Sequence, residues 1–171
     1  MNILLETPRL YLRQLQQEDK DAIAVFLQDE QVMYAWEHGF SQEEVDNWLQ
    51  QNLLRYQRDG YSYWAVIEKE KQLLIGVCGI LAETANGKPY TGIGYIFRKD
   101  CWHKGYALES TKACMEYGFQ QLHLPLLTAQ IRPENTASCK LAEKLGMQVI
   151  DQFTKHYHGK EMKHLLYGRT P

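Results

Sequence analysis

The segment Thr91 to Glu109, TGIGYIFRKDCWHKGYALE, constrains this chain more than any other, because it runs a strand-like stretch through a short turn and directly into a helix start. A helix entered this way presents unpaired backbone N–H groups and the positive end of its dipole to one point in space, which is the environment a phosphate needs. Gly105 permits close approach of backbone to ligand, and Ala107 keeps the first turn uncrowded. A Gly near a helix start is equally what plain turn chemistry produces, so the segment by itself leaves both readings open. A second segment follows, Ile131 to Met147, IRPENTASCKLAEKLGM. There Arg132-Pro133-Glu134-Asn135-Thr136 closes a strand and opens a short helix, which Gly146 ends.

The two segments, in this order and at this separation, resemble the GNAT superfamily of N-acetyltransferases. In that family a strand, a Q/R-x-x-G-x-G/A turn and a helix bind the pyrophosphate of acetyl-CoA, and an N-x-x-A/S helix follows. The turn corresponds to Trp102-His103-Lys104-Gly105-Tyr106-Ala107, with Trp102 in place of the usual Gln or Arg and His103 where Gly is common. The N-terminal tract Leu5-Glu6-Thr7-Pro8-Arg9-Leu10-Tyr11-Leu12-Arg13 and the tract Trp102 to Glu109 narrow the likeness to the RimJ/RimL-like branch, which holds ribosomal-protein N-terminal acetyltransferases. The resemblance implies an α/β GNAT fold with a mixed, mostly antiparallel central sheet, a splayed and bulged strand, and flanking helices, built as one domain over residues 1–171.

Composition agrees with a single domain large enough to bury a core. The chain has 171 residues, 44% of them hydrophobic, and its 11 Tyr, 5 Phe and 4 Trp supply bulky core material. A net charge of −2 gives no reason to expect nucleic-acid binding, which usually shows a basic face. The absence of a long apolar run or a leader-like start argues against a membrane span or a secretory signal, so the expectation is a cytoplasmic protein, monomer or homodimer. Cys78, Cys101, Cys114 and Cys139 are widely spaced without a C-x-x-C pair and read as reduced structural thiols. His156-Tyr157-His158 could set two imidazoles on one strand face but lacks a third ligand, so it reads as a solvated face and no metal is expected.

Elements alternate along the chain. Arg9–Arg13 reads as a strand and Gln17–Leu27 as a helix with Ile23, Phe26 and Leu27 inward. Ser41-Gln42-Glu43-Glu44 is a capping box, after which Val45, Trp48, Leu49, Leu53 and Tyr56 recur at helical spacing. Tyr63–Ile67 and Leu73–Leu81 read as a hairpin around Glu68–Lys71, and residues 83–90 as a Gly-Pro-containing turn before the strand Thr91–Phe97. Leu108, Thr111, Met115, Phe119 and Leu122 form the inner stripe of a long helix. Leu126–Ile131 reads as a strand, Asn135–Leu145 as a helix, and the tail supplies strands near Val149–Phe153 and Leu165–Tyr167.

The resemblance also implies a division of labour. Tyr95, Ile96 and Phe97 match the strand that pairs with the pantetheine arm, and the Phe97 N–H matches the donor to the thioester oxygen, where it would stabilise a tetrahedral oxyanion. The N–H groups of His103, Lys104, Gly105, Tyr106, Ala107 and Leu108 would hold the pyrophosphate. Asn135 matches the Asn that bonds the cofactor arm; as a residue it is also a good helix N-cap. The general acid of many relatives, a Tyr seven residues further on, is Ala142 here, which leaves Ser138, Tyr106 or solvent to protonate the thiolate, with Ser138 favoured by its place in the motif.

A base, if one acts, is to be sought among Glu109, Glu83 and Glu37, with Glu109 also favoured at a helix start by the dipole. The Tyr34–Gly39 loop matches the acceptor side. The expected activity is therefore transfer of acetyl from acetyl-CoA to a primary amine, a protein or peptide N-terminal α-amine foremost. The alternatives are a polyamine or aminoglycoside acceptor, or a non-catalytic acyl-CoA-binding module.

Overall fold

A computed structural model describes residues 2–171. In chain order it contains β1 (Leu5–Glu6), β2 (Leu10–Gln14), a 3-10 turn at Gln17–Asp19, α1 (Lys20–Leu27), a 3-10 turn at Tyr34–Trp36, α2 (Gln42–Asp59), β3 (Tyr63–Glu68) and β4 (Leu73–Ala85). Then come β5 (Lys88–Phe97), a 3-10 turn at Lys99–Cys101, α3 (Tyr106–Gln120), β6 (Leu127–Ile131), α4 (Thr136–Lys144), β7 (Gln148–Tyr157) and β8 (Lys160–Arg169). The strands form one mixed sheet in the order β1-β2-β3-β4-β5-β6-β8-β7. The β1–β2, β2–β3, β3–β4, β6–β8 and β7–β8 ladders are antiparallel, and β5 runs parallel to β6, registering at Gly92↔Thr128 in the N-terminal half of β5. This is the mixed, mostly antiparallel α/β sheet expected of a GNAT fold.

The described chain divides into two compact units. The first comprises the residues up to Ile80 together with Gly94–Cys114; the second comprises Leu81–Ile93 with Met115–Pro171. In the first, Leu10 and Leu12 of β2, Trp64 and Val66 of β3, and Ile75 and Val77 of β4 are buried with Ile23, Phe26 and Leu27 of α1, as helical spacing predicts for that stripe. The capping box forms: Ser41 Oγ accepts from the Glu44 N–H at 3.2 Å, Glu44 Oε1 accepts from the Ser41 N–H at 3.3 Å, and Gly60 closes α2 in the left-handed region at φ 84°.

The α2 stripe carries one surprise, Asn52, which is fully buried like Val45 and Leu49 and accepts from the Tyr63 N–H of β3 at 3.4 Å. Its amide donates to the Trp48 carbonyl at 2.8 Å and accepts from Ser62 Oγ at 2.5 Å, so the polar group is paid for inside the core. Cys78 and Cys114 are also buried in this unit with their sulfurs 3.6 Å apart, and burial together with the neighbouring Cys78 pushes the Cys114 thiol up, away from the reactive thiolate.

The second unit packs Ala85, Phe153 and Leu166 together, with Tyr90 against them. Three expectations change here. Residues 83–90 are mostly strand: β4 continues to Ala85 and β5 starts at Lys88, joined by Asn86-Gly87 at φ 51° and 73°. Two consecutive left-handed residues are what a two-residue hairpin loop requires, and Asn-Gly supplies them at least cost. The tail strands likewise extend into a long hairpin turning at His158-Gly159, φ 48° and 74°, so His158 belongs to the turn and not to a strand face. Leu122 falls beyond the end of α3.

One interaction fixes the start of α3 in the first unit. The Glu109 carboxylate accepts from Thr7 Oγ1 at 2.7 Å, from the Arg9 N–H at 2.9 Å and from Arg9 Nε at 2.7 Å. Burial by itself would raise the Glu109 carboxyl, but the Thr7 hydroxyl and the Arg9 donors outweigh it and hold it below the usual carboxylate range. A depressed folded-state pKa contributes stability above the unfolded value of about 4.3, and that contribution is lost as pH falls through the folded value. Glu109→Gln is expected to destabilise the protein by about 1–2 kcal/mol at pH 7, Arg9 being half exposed. In urea titrations the gap between parent and variant should close toward pH 3.

Candidate active site

The turn that leads into α3 is built from backbone geometry. The 3-10 turn Lys99–Cys101 closes with the Cys101 N–H on the Arg98 carbonyl at 3.0 Å and the Trp102 N–H on the Lys99 carbonyl at 3.1 Å. His103 and Gly105 then both take left-handed backbone, φ 62° and 81°. The His103 position thus keeps the conformation that glycine would adopt freely, at a cost of about 1–2 kcal/mol for an L side chain. The first helical bond runs from the Glu109 N–H to the Gly105 carbonyl at 3.0 Å, so the N–H groups of Tyr106, Ala107 and Leu108 precede any intrahelical acceptor. Ser110 Oγ and Thr111 Oγ1 bond back to the carbonyls of Tyr106 and Ala107, at 2.8 and 2.6 Å, and leave the helix entrance clear.

Arg9 is the part of this site that sequence reasoning missed. Its Nη1 donates to the Lys104 carbonyl at 2.8 Å, and its guanidinium lies 4.4 Å from the centre of the Tyr106 ring. A Cβ on Gly105 would come within 3.3 Å of Arg9 Nη2. One guanidinium therefore braces the turn, stacks on the first helical residue and adds positive charge to the helix N-terminus. The tract Thr7-Pro8-Arg9 was visible in the sequence, but nothing local links it to a turn some hundred residues later.

Trp102 gives the departure from the usual Gln or Arg a structural meaning. Its indole Nε1–H donates to the Phe97 carbonyl at 3.1 Å, tying the end of β5 to the turn. The Arg98 N–H bonds the Ile75 carbonyl of β4 at 2.9 Å, and the alternation of a strand directs the Ile96 backbone to that side and the Tyr95 and Phe97 backbone to the opposite edge of β5. The Phe97 N–H thus lies on the edge away from β4. Phe97 and Ile96 are buried, and Tyr95 is half buried with its ring 6.3 Å from that of Phe97.

The three carboxylates considered as bases differ in surroundings. Glu109 has its oxygens engaged by Thr7 and Arg9, which makes it a brace for the cradle. Glu37 sits in left-handed backbone at φ 68°, closing the Tyr34–Trp36 turn. Beside it, His38 bridges the Trp36 carbonyl at 2.9 Å and Glu44 Oε2 at 2.6 Å, and the Glu44 carboxylate pulls the imidazole pKa up. Glu83, in the second unit, accepts from Gln130 Nε2 at 3.1 Å.

Asn135 and Ser138 lie together in the second unit. Asn135 caps α4, its Oδ1 accepting from the Ser138 N–H at 3.2 Å. Ala142, at the position of the missing tyrosine, is buried at 2% exposure and has no titratable proton. Nearby, Tyr167 is pushed up to about 12 by its hydrogen bond to Cys139 and by burial, which makes it a poor proton source at neutral pH.

Comparison with known proteins agrees with this geometry. Residues 9–148 match the Acetyltransferase (GNAT) domain family. The uncharacterized N-acetyltransferase YoaA of Bacillus subtilis (strain 168) is 33% identical over 147 residues, which is 85% of this chain and 82% of that protein. The crystal structure of an acetyltransferase of the GNAT family from Bacillus anthracis superposes with a TM-score of 0.81 at 28% identity, covering 99% of this chain and 98% of that one. RimL, a ribosomal L7/L12 alpha-N-protein acetyltransferase solved in complex with coenzyme A, shares the fold with a TM-score of 0.80 at 20% identity, over 99% of this chain and 98% of its own. A left-handed turn at a helix start, a strand edge with outward N–H groups and a family match over most of the chain converge: this protein belongs to the GNAT N-acetyltransferases, enzymes whose fold binds acetyl-CoA.

Proposed function

We propose that the protein transfers the acetyl group of acetyl-CoA to a primary amine, foremost the N-terminal α-amine of a protein or peptide. The observation that carries the cofactor half is the cradle itself. His103 and Gly105 in left-handed backbone turn the N–H groups at the start of α3 toward one point, and Arg9 braces them. His103, Lys104, Gly105, Tyr106, Ala107 and Leu108 would hold the pyrophosphate through main-chain donors. The edge N–H groups of β5 at Tyr95 and Phe97, together with Ile96, would receive the pantetheine arm as an added strand does. When bound, acetyl-CoA supplies an activated acyl group.

In the step itself the amine nitrogen forms the C–N bond with its lone pair and the thioester C–S bond breaks, its electron pair leaving on sulfur. The Phe97 N–H is assigned to the oxyanion that forms between these events. The proton released from nitrogen goes to solvent, and the thiolate receives one relayed through Ser138, whose hydroxyl takes a proton from solvent as it gives one, with Asn135 as the cap that orients its turn of α4. The α-amine preference rests on the Thr7-Pro8-Arg9-Leu10 tract and on the likeness to RimL. It rests as well on the engagement of Glu109, since an α-amine of pKa about 8 needs less help from a base than a lysine near 10.4.

Three outcomes check this reading. Gly105→Val, which places a branched side chain at φ 81° against Arg9, should weaken acetyl-CoA binding at least tenfold, about 1.4 kcal/mol, by calorimetry. Unchanged affinity in a folded variant would remove the cradle. Asn135→Asp should keep the cap and the stability while Ser138→Ala lowers turnover with acetyl-CoA affinity retained; equal turnover would remove Ser138 from the mechanism. With a peptide N-terminus as acceptor, the rate should rise with pH and level near the amine's own pKa of about 8, whereas preference for spermidine or an aminoglycoside would reject the protein N-terminus as acceptor.

A further inference from the structure

In the first unit, the space beside Gly105 belongs to Arg9. At φ 81° a Cβ on Gly105 would come within 3.3 Å of Arg9 Nη2, and the carbonyl just before it, that of Lys104, accepts from Arg9 Nη1 at 2.8 Å. The guanidinium therefore lies on the carbonyl side of the Lys104–Gly105 peptide. A trans peptide is planar, and its C=O and N–H point in opposite directions. Holding the Lys104 carbonyl toward Arg9 turns the Gly105 N–H away from it, and that N–H donates to no backbone carbonyl among the described residues.

Arg9 is itself held. Its Nε donates to Glu109 Oε2 at 2.7 Å, its backbone N–H donates to Glu109 Oε1 at 2.9 Å, and its guanidinium lies 4.4 Å from the centre of the Tyr106 ring. A guanidinium is a rigid planar fork, so a carboxylate that fixes Nε also fixes where Nη1 points.

We infer that Arg9 is a positioning residue for the cofactor: oriented by Glu109, it pins the Lys104 carbonyl and thereby aims the Gly105 N–H at the diphosphate of acetyl-CoA. This rests on the acetyl-transfer reading above and deepens it. Without the pin the Lys104–Gly105 peptide can turn as a unit, because glycine tolerates many backbone orientations, and the donor is spread over directions that no phosphate can use. A donor fixed in advance binds more tightly because less order has to be created on binding. Glycine at position 105 then meets two needs at once: it takes left-handed backbone, and it leaves room for the guanidinium.

A rival role for Arg9 is that of a nearby positive charge, and the two roles give opposite signs at Glu109. Glu109→Gln removes a negative charge beside an anion site, so a charge role predicts equal or tighter acetyl-CoA binding. Positioning predicts weaker binding, because Arg9 loses the acceptor that orients it. Arg9→Lys keeps the charge, but an ammonium has no planar fork to join the Glu109 carboxylate and the Lys104 carbonyl, so it should not restore affinity.

The test uses the full-length protein at pH 7, with thermal midpoints to confirm folding. By calorimetry, Arg9→Gln, Arg9→Lys and Glu109→Gln should each raise the acetyl-CoA Kd at least tenfold. In turnover of a C-amidated alanine tetrapeptide, Arg9→Gln should shrink the kcat/KM preference for acetyl-CoA over S-acetylpantetheine, which lacks the diphosphate, at least tenfold. A merely structural loss would lower both thioesters alike and keep that ratio. Arg9→Gln should also move the Gly105 amide resonance in NMR spectra of the ligand-free protein. Parent-like affinity in Arg9→Lys, unchanged or tighter binding in Glu109→Gln, or an unchanged thioester ratio would overturn the inference. Should Arg9→Gln not fold, Arg9→Lys and Glu109→Gln decide by the same affinities. A parent that binds acetyl-CoA with this dependence yet acetylates no amine overturns the acetyl-transfer reading and leaves the role of Arg9 standing; a parent that does not bind acetyl-CoA overturns both.

Discussion

The carboxylate of Glu109 is the point on which the cradle depends. It receives three donors from Thr7 and Arg9, and Arg9 passes the restraint on to the Lys104 carbonyl and the Tyr106 ring. Without this brace the turn before α3 would have to hold two left-handed residues, one of them a histidine, by local preference alone. Left-handed backbone at a non-glycine residue is disfavoured, so the stretch that would grip a phosphate is one that tertiary contacts must hold in place. A charge-assisted network is suited to this because its hydrogen bonds are directional and roughly twice as strong as neutral ones.

The same economy appears at the other polar sites. Asn52 is buried in the first unit with its amide serving Trp48 and Ser62, a satisfied network that specifies how α2 meets β3. Gln130 in the second unit is only partly buried, yet its carbonyl oxygen is shielded from solvent and has no donor. The two amides therefore differ: one is fully satisfied, and the other keeps an acceptor that no group of the chain serves. A fully satisfied group has nothing left to offer; a partly satisfied one carries a standing cost.

Loss of the tyrosine acid at Ala142 and engagement of Glu109 leave a site with few titratable groups at the expected positions. Chemistry in such a site relies on placing reactants and on backbone donors, and less on proton transfer by side chains. An acceptor with a larger neutral fraction suits that arrangement, and an α-amine of pKa about 8, roughly a tenth neutral at pH 7, exceeds a lysine near 10.4 by more than a hundredfold.

Much of the architecture was legible in the chain itself. The Ser41 capping box, the α1 stripe of Ile23, Phe26 and Leu27, the helix that Gly146 ends and the strand-turn-helix at Gly105 all formed where local pattern placed them. These signals reach only a few residues: a cap, a turn dihedral or a 3.6-residue period is decided by near neighbours. The Asn86-Gly87 hairpin is equally local, but Pro89 two residues later makes the same segment read as a longer loop. What no local pattern contained was the partnership of Glu109 with Arg9, of Trp102 with the Phe97 carbonyl, and of Glu83 with Gln130 beside Gly92. Whether a carboxylate acts as a base or a brace depends on which donors surround it. Most of those donors come from segments distant in sequence, so only the tertiary structure decided it.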